Sequence, residues 1–126
     1  KSIRQPLQSL QYLEKQARIR TLRELSGQRI RSSQPIDQML DLDGFAGQVA
    51  GVRGVLTISN TTAHLAGALG VPCVVVLDNG SITNWPDQGE TTPLYPSTRL
   101  IRRGSDDWAT TLRRGWRTLR SLIPPQ

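Results

Sequence analysis

The strongest pattern along the chain is a pair of short apolar runs separated by a small helix. Residues 55–59 are mostly apolar and β-branched, and residues 73–77 are apolar throughout. Such runs are typical of strands buried on both faces of a parallel sheet. Because the connection is a single compact crossover, the two strands are predicted to be parallel and connected in a right-handed sense. The pattern indicates an α/β fold: a Rossmann-like parallel sheet with helices on both faces.

The segment between the two runs has the sequence marks of a helix with defined ends. Asn60, Thr61 and Thr62 are residue types that cap helices, and residues 63–69 are mostly small or straight-chained. Gly70 suits a left-handed helix end, and Pro72 prevents the helix from continuing. We therefore predict a short, tightly packed helix between the two strands.

The C-terminal part repeats the scheme, with a strand predicted over residues 97–102 and a helix over residues 105–123. Ser105 is the predicted cap of this helix, and Asp106 and Asp107 suit its positive end. A stripe of arginines on the helix is expected to be a solvated face. The apolar stripe predicted to face the sheet consists of Trp108, Leu112, Trp116, Leu119 and Ile123.

The first fifty residues have weaker patterns. A helix is predicted over residues 6–16, with proline in its first turn. Residues 17–22 alternate between apolar and polar as an edge strand would, and the competing interpretation is one continuous helix to residue 25. Residues 26–35 are polar and rich in turn formers and are predicted to be a loop. A helix weakened by three glycines is predicted over residues 43–52.

Length and charge narrow the classes of protein to which the chain can belong. With 126 residues and 37% hydrophobic content, residues 1–126 are expected to form a single domain, or a part of one. The net charge is +6, but no Lys or Arg lies between Arg53 and Arg99, and no aromatic residues are interleaved with the flanking arginines. A surface that stacks nucleic-acid bases would need such aromatics, so nucleic acid is not the expected partner.

Targeting signals and cysteine usage point to a cytoplasmic setting. No apolar run approaches the roughly 20 residues needed to cross a bilayer, and residues 1–10 lack the apolar stretch of a signal peptide, so no membrane association is expected. The single cysteine, Cys73, lies within an apolar run and is predicted to be a buried, inert thiol. A disulfide framework and a cysteine-based zinc site are excluded.

The predicted topology fixes where a ligand would bind. In an open parallel sheet, ligands bind beyond the carboxyl ends of the strands. Thr61 and Thr62 follow the first strand at a helix N-terminus, where unpaired N–H groups and two hydroxyls could hold a phosphate. His64, the sole histidine, lies beside them. Two interpretations of His64 stay open: a donor to a phosphate oxygen, or a side chain wedged between helix and sheet.

Further candidates follow the second strand, residues 102–104 follow the third, and none of these is an obvious catalytic group. Asp78, Asn79 and Gly80 come directly after residue 77, and Trp85 lies in the long connection that follows. Such a connection either shapes the rim of a pocket or packs onto the body of the domain. The chain lacks a nucleophile elbow, a Walker motif and a glycine-rich dinucleotide fingerprint, and its carboxylates are too scattered for a metal cage. We therefore predict no catalytic residue, metal or cofactor in this chain.

A family resemblance covers most of the chain. The segment NTTAHLAGALGVP, from Asn60 to Pro72, resembles the signature D-T-x-x-A-H-L-A-G-A-L-G-x-P of the C-terminal domain in GT-B glycosyltransferases related to the heptosyltransferases. It is most similar to bacterial proteins in which that module follows tetratricopeptide repeats. Residues 93–96 and 99–102 resemble a P-W-Y-P…R-L-F-R segment, and residues 107–108 resemble the start of the family's last helix. The first fifty residues match only loosely.

The resemblance implies the donor-binding half of a GT-B fold, holding a nucleotide-diphosphate sugar for metal-independent glycosyl transfer. The family's diphosphate contacts would carry over to Thr61, Thr62 and His64, beside Asn60. On this view an acceptor domain or repeats, with the catalytic base, lie upstream in the same protein and are its partner, and the fragment alone is inactive. An exposed sheet edge would also favour self-association.

Three departures from the family favour an alternative interpretation. Asn60 stands where the family commonly has Asp, residues 83–85 read T-N-W where the closest relatives have W-R-W, and the expected first strand with its basic loop precedes residue 1. The alternative is a degenerate, non-catalytic copy that serves as a protein-interaction module.

Overall fold

A computed structural model describes residues 7–10, 24, 30–32, 41–79 and 85–124. The chain divides into two compact units, residues 1–48 and 49–126. Within the described residues, the strands and helices follow one another along the chain in the order β1 (Leu7–Ser9), β2 (Ile30–Ser32), α1 (Leu42–Ala50), β3 (Val55–Thr57), α2 (Thr61–Ala68), β4 (Cys73–Leu77), β5 (Thr98–Arg102) and α3 (Trp108–Leu122).

The first unit contains a parallel pair of strands that the sequence patterns did not predict. β1 and β2 pair in register from Leu7 with Ile30 to Ser9 with Ser32. The helix predicted over residues 6–16 is therefore wrong at residues 7–9, and the loop predicted over residues 26–35 is wrong at residues 30–32. Strands of three residues have no detectable periodicity, and their backbone pairing overrides local preference. Glu24 is helical, whereas the edge strand predicted over residues 17–22 lies outside the described residues.

The second unit has a three-stranded parallel sheet among its described residues, with the order β3-β4-β5. β3 pairs with β4 from Val55 with Cys73, and β4 pairs with β5 from Cys73 with Thr98 to Leu77 with Arg102. All five residues of β4 are buried, as expected for a central strand covered on both faces. The predicted α/β, Rossmann-like architecture is confirmed.

Helix α2 is the crossover between β3 and β4, against which it packs. It ends in a Schellman motif, in which the Val71 N–H donates to the Ala66 carbonyl at 3.0 Å and the Gly70 N–H donates to the Gly67 carbonyl at 3.1 Å. Gly70 has a φ of 74°, so the predicted left-handed helix end is confirmed. The motif turns the chain directly into β4.

Helix α3 packs on the face of the sheet that presents Val74 and Val76, with Leu119 at the centre of the contact. Its buried residues are Thr111, Gly115 and Leu119, whereas Trp108 and Leu112 are 42% and 46% exposed. The predicted apolar stripe is thus wrong for its first two members. A Cβ on Gly115 would lie 3.1 Å from Leu56 Cδ1, so the absent side chain lets the helix approach the strands.

The start of α3 also differs from the prediction. The cap is Asp107, whose carboxylate accepts from the Thr110 N–H at 2.7 Å, and not Ser105. This hydrogen bond lowers the pKa of Asp107. Because Gly104 takes a φ of 62° between β5 and the helix, the turn extends beyond Ser105 before helical geometry begins.

None of the helices in the described ranges is long and apolar enough to cross a membrane.

Candidate functional site

The carboxyl ends of β3, β4 and β5 lie at one edge of the sheet because the three strands are parallel. The segments that follow them carry Asn60, Thr61, Thr62 and His64 after β3, Asp78 and Asn79 after β4, and Arg103 after β5. Gly80 lies outside the described residues. This edge is where open parallel sheets bind ligands.

Asn60 is the N-cap of α2. Its backbone is extended, with φ −159° and ψ 179°, and its Oδ1 accepts from the Ala63 N–H at 3.0 Å. Its Nδ2 also donates to Thr57 Oγ1 at 3.0 Å. Both polar atoms of the side chain therefore hold the turn between β3 and α2, so the role of Asn60 at this site is to position the helix N-terminus.

Thr61 and Thr62 occupy the first two positions of α2 but differ in exposure. Thr61 is exposed, and Thr62 is buried with 9% of its surface accessible. Backbone N–H groups in a first helical turn have no partner within the helix, and the Asn60 cap satisfies only that of Ala63. The helix start therefore offers one freely accessible hydroxyl beside the N–H groups of its first turn.

His64 lies in a group of packed and hydrogen-bonded side chains, the His64 cluster, which consists of His64, Trp85, Tyr95 and Ser59. The imidazole stacks on the Trp85 ring, with centroids 4.7 Å apart and planes inclined by 10°. His64 Nδ1 lies 2.9 Å from the Tyr95 hydroxyl, and Trp85 Nε1 donates to Ser59 Oγ at 2.8 Å. The histidine is thus packed against its neighbours and hydrogen-bonded through one ring nitrogen.

The loop residues of this cluster pack onto the domain. Trp85 is only 4% exposed, so its ring is part of the core beside α2 and does not present an open pocket rim. The Tyr95 ring lies directly on the helix backbone, because a Cβ on Gly67 would come within 2.4 Å of Tyr95 Cγ. Sequence reasoning did not select Tyr95 as a site residue. The sequence feature that could have indicated this contact is Gly67, one turn after His64, where the missing side chain leaves room for a ring on the helix.

Asp78 and Asn79 join the end of β4 to the turn after β5. Asp78 Oδ1 lies 2.8 Å from Arg103 Nε and also accepts from the Asn79 N–H at 2.8 Å. Asn79 Nδ2 donates to the Gly104 carbonyl at 2.9 Å. The Asn79 amide, followed by Arg103, lowers the pKa of Asp78. These side chains fix the geometry of the edge.

Arg103 is a cation at this edge and belongs to the predicted candidate segment 102–104, although it was not singled out there as a binding residue. Its guanidinium lies 5.2 Å from the centre of the Trp108 ring, and Nη1 donates to the Asp106 carbonyl at 3.2 Å. Together with the Asp78 ion pair, these contacts hold a positive charge in a defined position, and the side chain remains 28% exposed. The sequence signal was its place directly after β5.

The single cysteine and the metal-ligating residue types were also located in the described ranges. Cys73 is buried, as predicted, and burial raises the pKa of its thiol to about 12, which disfavours the reactive thiolate. Within the described ranges, no three His, Cys, Asp or Glu side chains form a group that could hold a metal ion.

Comparison with known proteins finds a partial similarity to a longer protein. No protein-family model and no solved structure matches the chain. Over 116 residues the chain is 34% identical to Protein FlbA of Caulobacter vibrioides, a match that covers 90% of this chain and 19% of that protein. The chain is therefore similar, over nearly its whole length, to one segment of a much longer bacterial protein.

Proposed function

We propose that this chain is the donor-binding module of a cytoplasmic bacterial glycosyltransferase and holds a nucleotide-diphosphate sugar at the carboxyl edge of its sheet. The observation that carries the proposal is the start of α2. Its N-terminus follows β3 at this edge, with an exposed Thr61 and with His64 fixed in the first turn. A helix N-terminus offers N–H donors and a partial positive charge to a phosphate.

The same edge supplies what metal-independent transfer requires of a donor site. Departure of a nucleoside diphosphate leaves negative charge, which oriented N–H groups and cations stabilise. Here the cation is Arg103, whose position is set by Asp78 and Trp108. The acceptor domain and the catalytic base belong, in this proposal, to another part of the full-length protein, as in the GT-B family that the segment 60–72 resembles.

Isothermal titration calorimetry with UDP, GDP, ADP and CMP tests the proposal. The variant combines Thr61→Ala with Thr62→Val, which removes both hydroxyls and preserves the shape of the buried Thr62 side chain. A hydrogen bond to a charged group contributes about 1.5–3 kcal/mol, so we expect a nucleoside diphosphate to bind roughly ten- to a hundredfold more weakly to the variant. Thr118→Ala is the control: Thr118 lies near the C-terminal end of α3, outside the proposed site, so this variant should bind the nucleotide as the wild type does.

Either of two results would contradict the proposal. One is equal affinity of the wild type and the double variant for the nucleotide that binds. The other is the absence of binding for all four nucleotides.

The second candidate function is the non-catalytic interaction module. It is favoured by Trp108 and Leu112, one turn apart on α3 and 42% and 46% exposed, because exposed apolar side chains in proximity are typical of contact surfaces. Sedimentation of the wild type and of a Trp108→Ser, Leu112→Ser variant distinguishes the candidates. Self-association that the variant abolishes, in a chain that binds no nucleotide, would support the interaction module.

A further inference from the structure

We propose that Tyr95 is a positioning residue that acts through His64. Its hydroxyl donates to His64 Nδ1 and so keeps the imidazole proton on Nε2, where the N–H serves as a donor to the anionic group of a ligand. The assignment of the proton rests on the His64 cluster alone. The role of the Nε2–H toward a diphosphate rests on the proposed function.

The direction of the hydrogen bond follows from the chemistry of its two atoms. The Tyr95 oxygen and His64 Nδ1 are 2.9 Å apart, a normal hydrogen-bond distance. A phenol shares its lone-pair density with the ring and is a better donor than acceptor, whereas the unprotonated nitrogen of neutral imidazole is a good acceptor. When Nδ1 accepts, the proton of neutral imidazole must lie on Nε2.

The surroundings agree with this assignment. Among the described residues, neither the Tyr95 hydroxyl nor His64 Nε2 has another hydrogen-bond partner. If Nδ1 carried the proton, the tyrosine O–H would have no protein acceptor among the described residues and would donate to solvent. Nε2 would then be a bare acceptor, which repels a phosphate oxygen. The Nε2–H tautomer instead leaves one N–H free to bind an anion.

Stacking fixes the plane of the imidazole as well as its tautomer. The ring lies nearly parallel to the Trp85 indole, at an angle of 10°. The indole is itself buried and donates to Ser59 Oγ at 2.8 Å, directly beside the start of α2. Rotation of the imidazole would break both the stack and the bond to Tyr95. The direction of the Nε2–H is therefore set by the protein before a ligand arrives.

Gly67 explains how Tyr95 can reach the histidine. The two are 31 positions apart, and the tyrosine ring lies on the backbone of α2 where Gly67 has no side chain. The Tyr95 carbonyl also accepts from the Thr98 N–H at 3.1 Å, which anchors the residue at the start of β5. A methyl group on Gly67 would meet Tyr95 Cγ at 2.4 Å and displace the ring.

Nitrogen-15 NMR of the imidazole tests the proton assignment directly, because His64 is the only histidine in the chain. We expect long-range ¹H–¹⁵N spectra of the wild type, recorded above the pH at which the imidazole protonates, to show the Nε2–H tautomer. Tyr95→Phe keeps the ring and removes the donor, and it should give a mixture of tautomers. Gly67→Ala should give a similar mixture, because it moves the tyrosine ring. Ser97→Ala removes a nearby hydroxyl that bonds the Val71 carbonyl and should leave the spectrum unchanged.

Titration of the same proteins with UDP tests the role of the Nε2–H. Losing the orienting bond of a neutral donor should weaken UDP binding about two- to tenfold in Tyr95→Phe, with no change in Ser97→Ala. An Nδ1–H tautomer in the wild type, or an unchanged tautomer in Tyr95→Phe, would overturn the proton assignment. If the tautomer shifts but UDP affinity does not, the positioning role toward the ligand is wrong. If the wild type binds GDP, ADP or CMP in place of UDP, that nucleotide is used in the same comparison. If it binds none of the four, the proposed function fails and that role fails with it, whereas the spectra still decide the proton assignment.

Discussion

Replacing Asn60 tests how the start of α2 is held. Asn60→Ala removes the acceptor of the Ala63 N–H and the donor to Thr57 Oγ1, both at 3.0 Å. Loss of an N-cap costs about 1 kcal/mol, and loss of a part-buried side-chain hydrogen bond about 1 kcal/mol more. We therefore expect the free energy of unfolding to fall by about 2 kcal/mol.

Two further variants of Asn60 separate these contributions. Asn60→Ser keeps a capping oxygen but loses the bond to Thr57, so about 1 kcal/mol should be lost. Asn60→Asp keeps the cap, lets the Thr57 hydroxyl donate to a carboxylate, and places a negative charge at the positive helix end, which is worth about 0.3–1 kcal/mol. Asn60→Asp should therefore be at least as stable as the wild type.

Urea unfolding followed by tryptophan fluorescence measures these differences, and Trp85 in the His64 cluster is a local probe. A double-mutant cycle of Asn60→Ala with Thr57→Val should give a coupling free energy of about 1 kcal/mol. The account of this turn would be refuted if Asn60→Ala unfolded within about 0.5 kcal/mol of the wild type, which is less than the loss of a typical cap.

Three other predictions concern the framework of the site. Gly115→Leu should lower the free energy of unfolding by about 1–3 kcal/mol or more, because the added side chain overpacks against Leu56. Gly47→Ala should raise it by about 0.5–1 kcal/mol, because an added Cβ at Gly47 meets nothing within 4 Å. Equal effects of the two variants in urea unfolding would contradict the packing of α3. Asp107→Ala should lower the free energy of unfolding by about 1 kcal/mol, because it removes the N-cap of α3, and Ser105→Ala should lower it by less than about 0.5 kcal/mol. The reverse order of stability in thermal melts would show that Ser105 is the cap. Burial raises the pKa of Cys73 from its ordinary value of 9.0 to about 12, so between these pH values the unfolded state releases a proton that the folded state keeps. The free energy of unfolding should therefore fall by about 1.4 kcal/mol per pH unit as the pH rises through this range in the wild type, but not in Cys73→Ala. Identical slopes in the two proteins would contradict the burial of the thiol.

The elements predicted correctly are those whose signal is local. The run of residues 73–77 is apolar without interruption because β4 is buried on both faces, and Asn60 and Gly70 mark the ends of α2 by chemistry that acts within a few residues. α1 was also predicted, to within about two residues at each end. For these elements, side-chain type alone carries the structural information.

The errors arose where distant parts of the chain decide the structure. β1 and β2 are three residues long and depend on pairing across more than twenty positions, which no local pattern encodes. On α3, Thr111 and Gly115 are buried in place of Trp108 and Leu112, because close approach to the sheet requires small side chains. Hydrophobicity alone ranks those residues in the opposite order.

The candidate site was predictable in its location but not in its contacts. The rule for parallel sheets places a ligand after β3, β4 and β5, and Asn60, Thr61, Thr62, His64, Asp78 and Asn79 follow these strands or lie in the helix after β3. The partner of His64 could not be predicted, since Tyr95 is 31 positions away and reaches it only across Gly67. The structure packs His64 against Trp85 and Tyr95 of the long connection, and its role as a donor to a phosphate oxygen stays a prediction.

Mapping of backbone amide shifts with UDP tests the central claim most directly. Two-dimensional ¹H–¹⁵N spectra of the full 126-residue chain, recorded during a UDP titration, report each N–H group separately. We predict saturable shifts centred on the Thr61, Thr62 and His64 amides at the start of α2, with smaller shifts at Arg103. Shifts centred elsewhere, for example on the cleft lined by Arg114 and Arg117 of α3, would contradict the proposal that the start of α2 binds a diphosphate, as would the absence of saturable shifts when GDP, ADP and CMP are titrated as well as UDP.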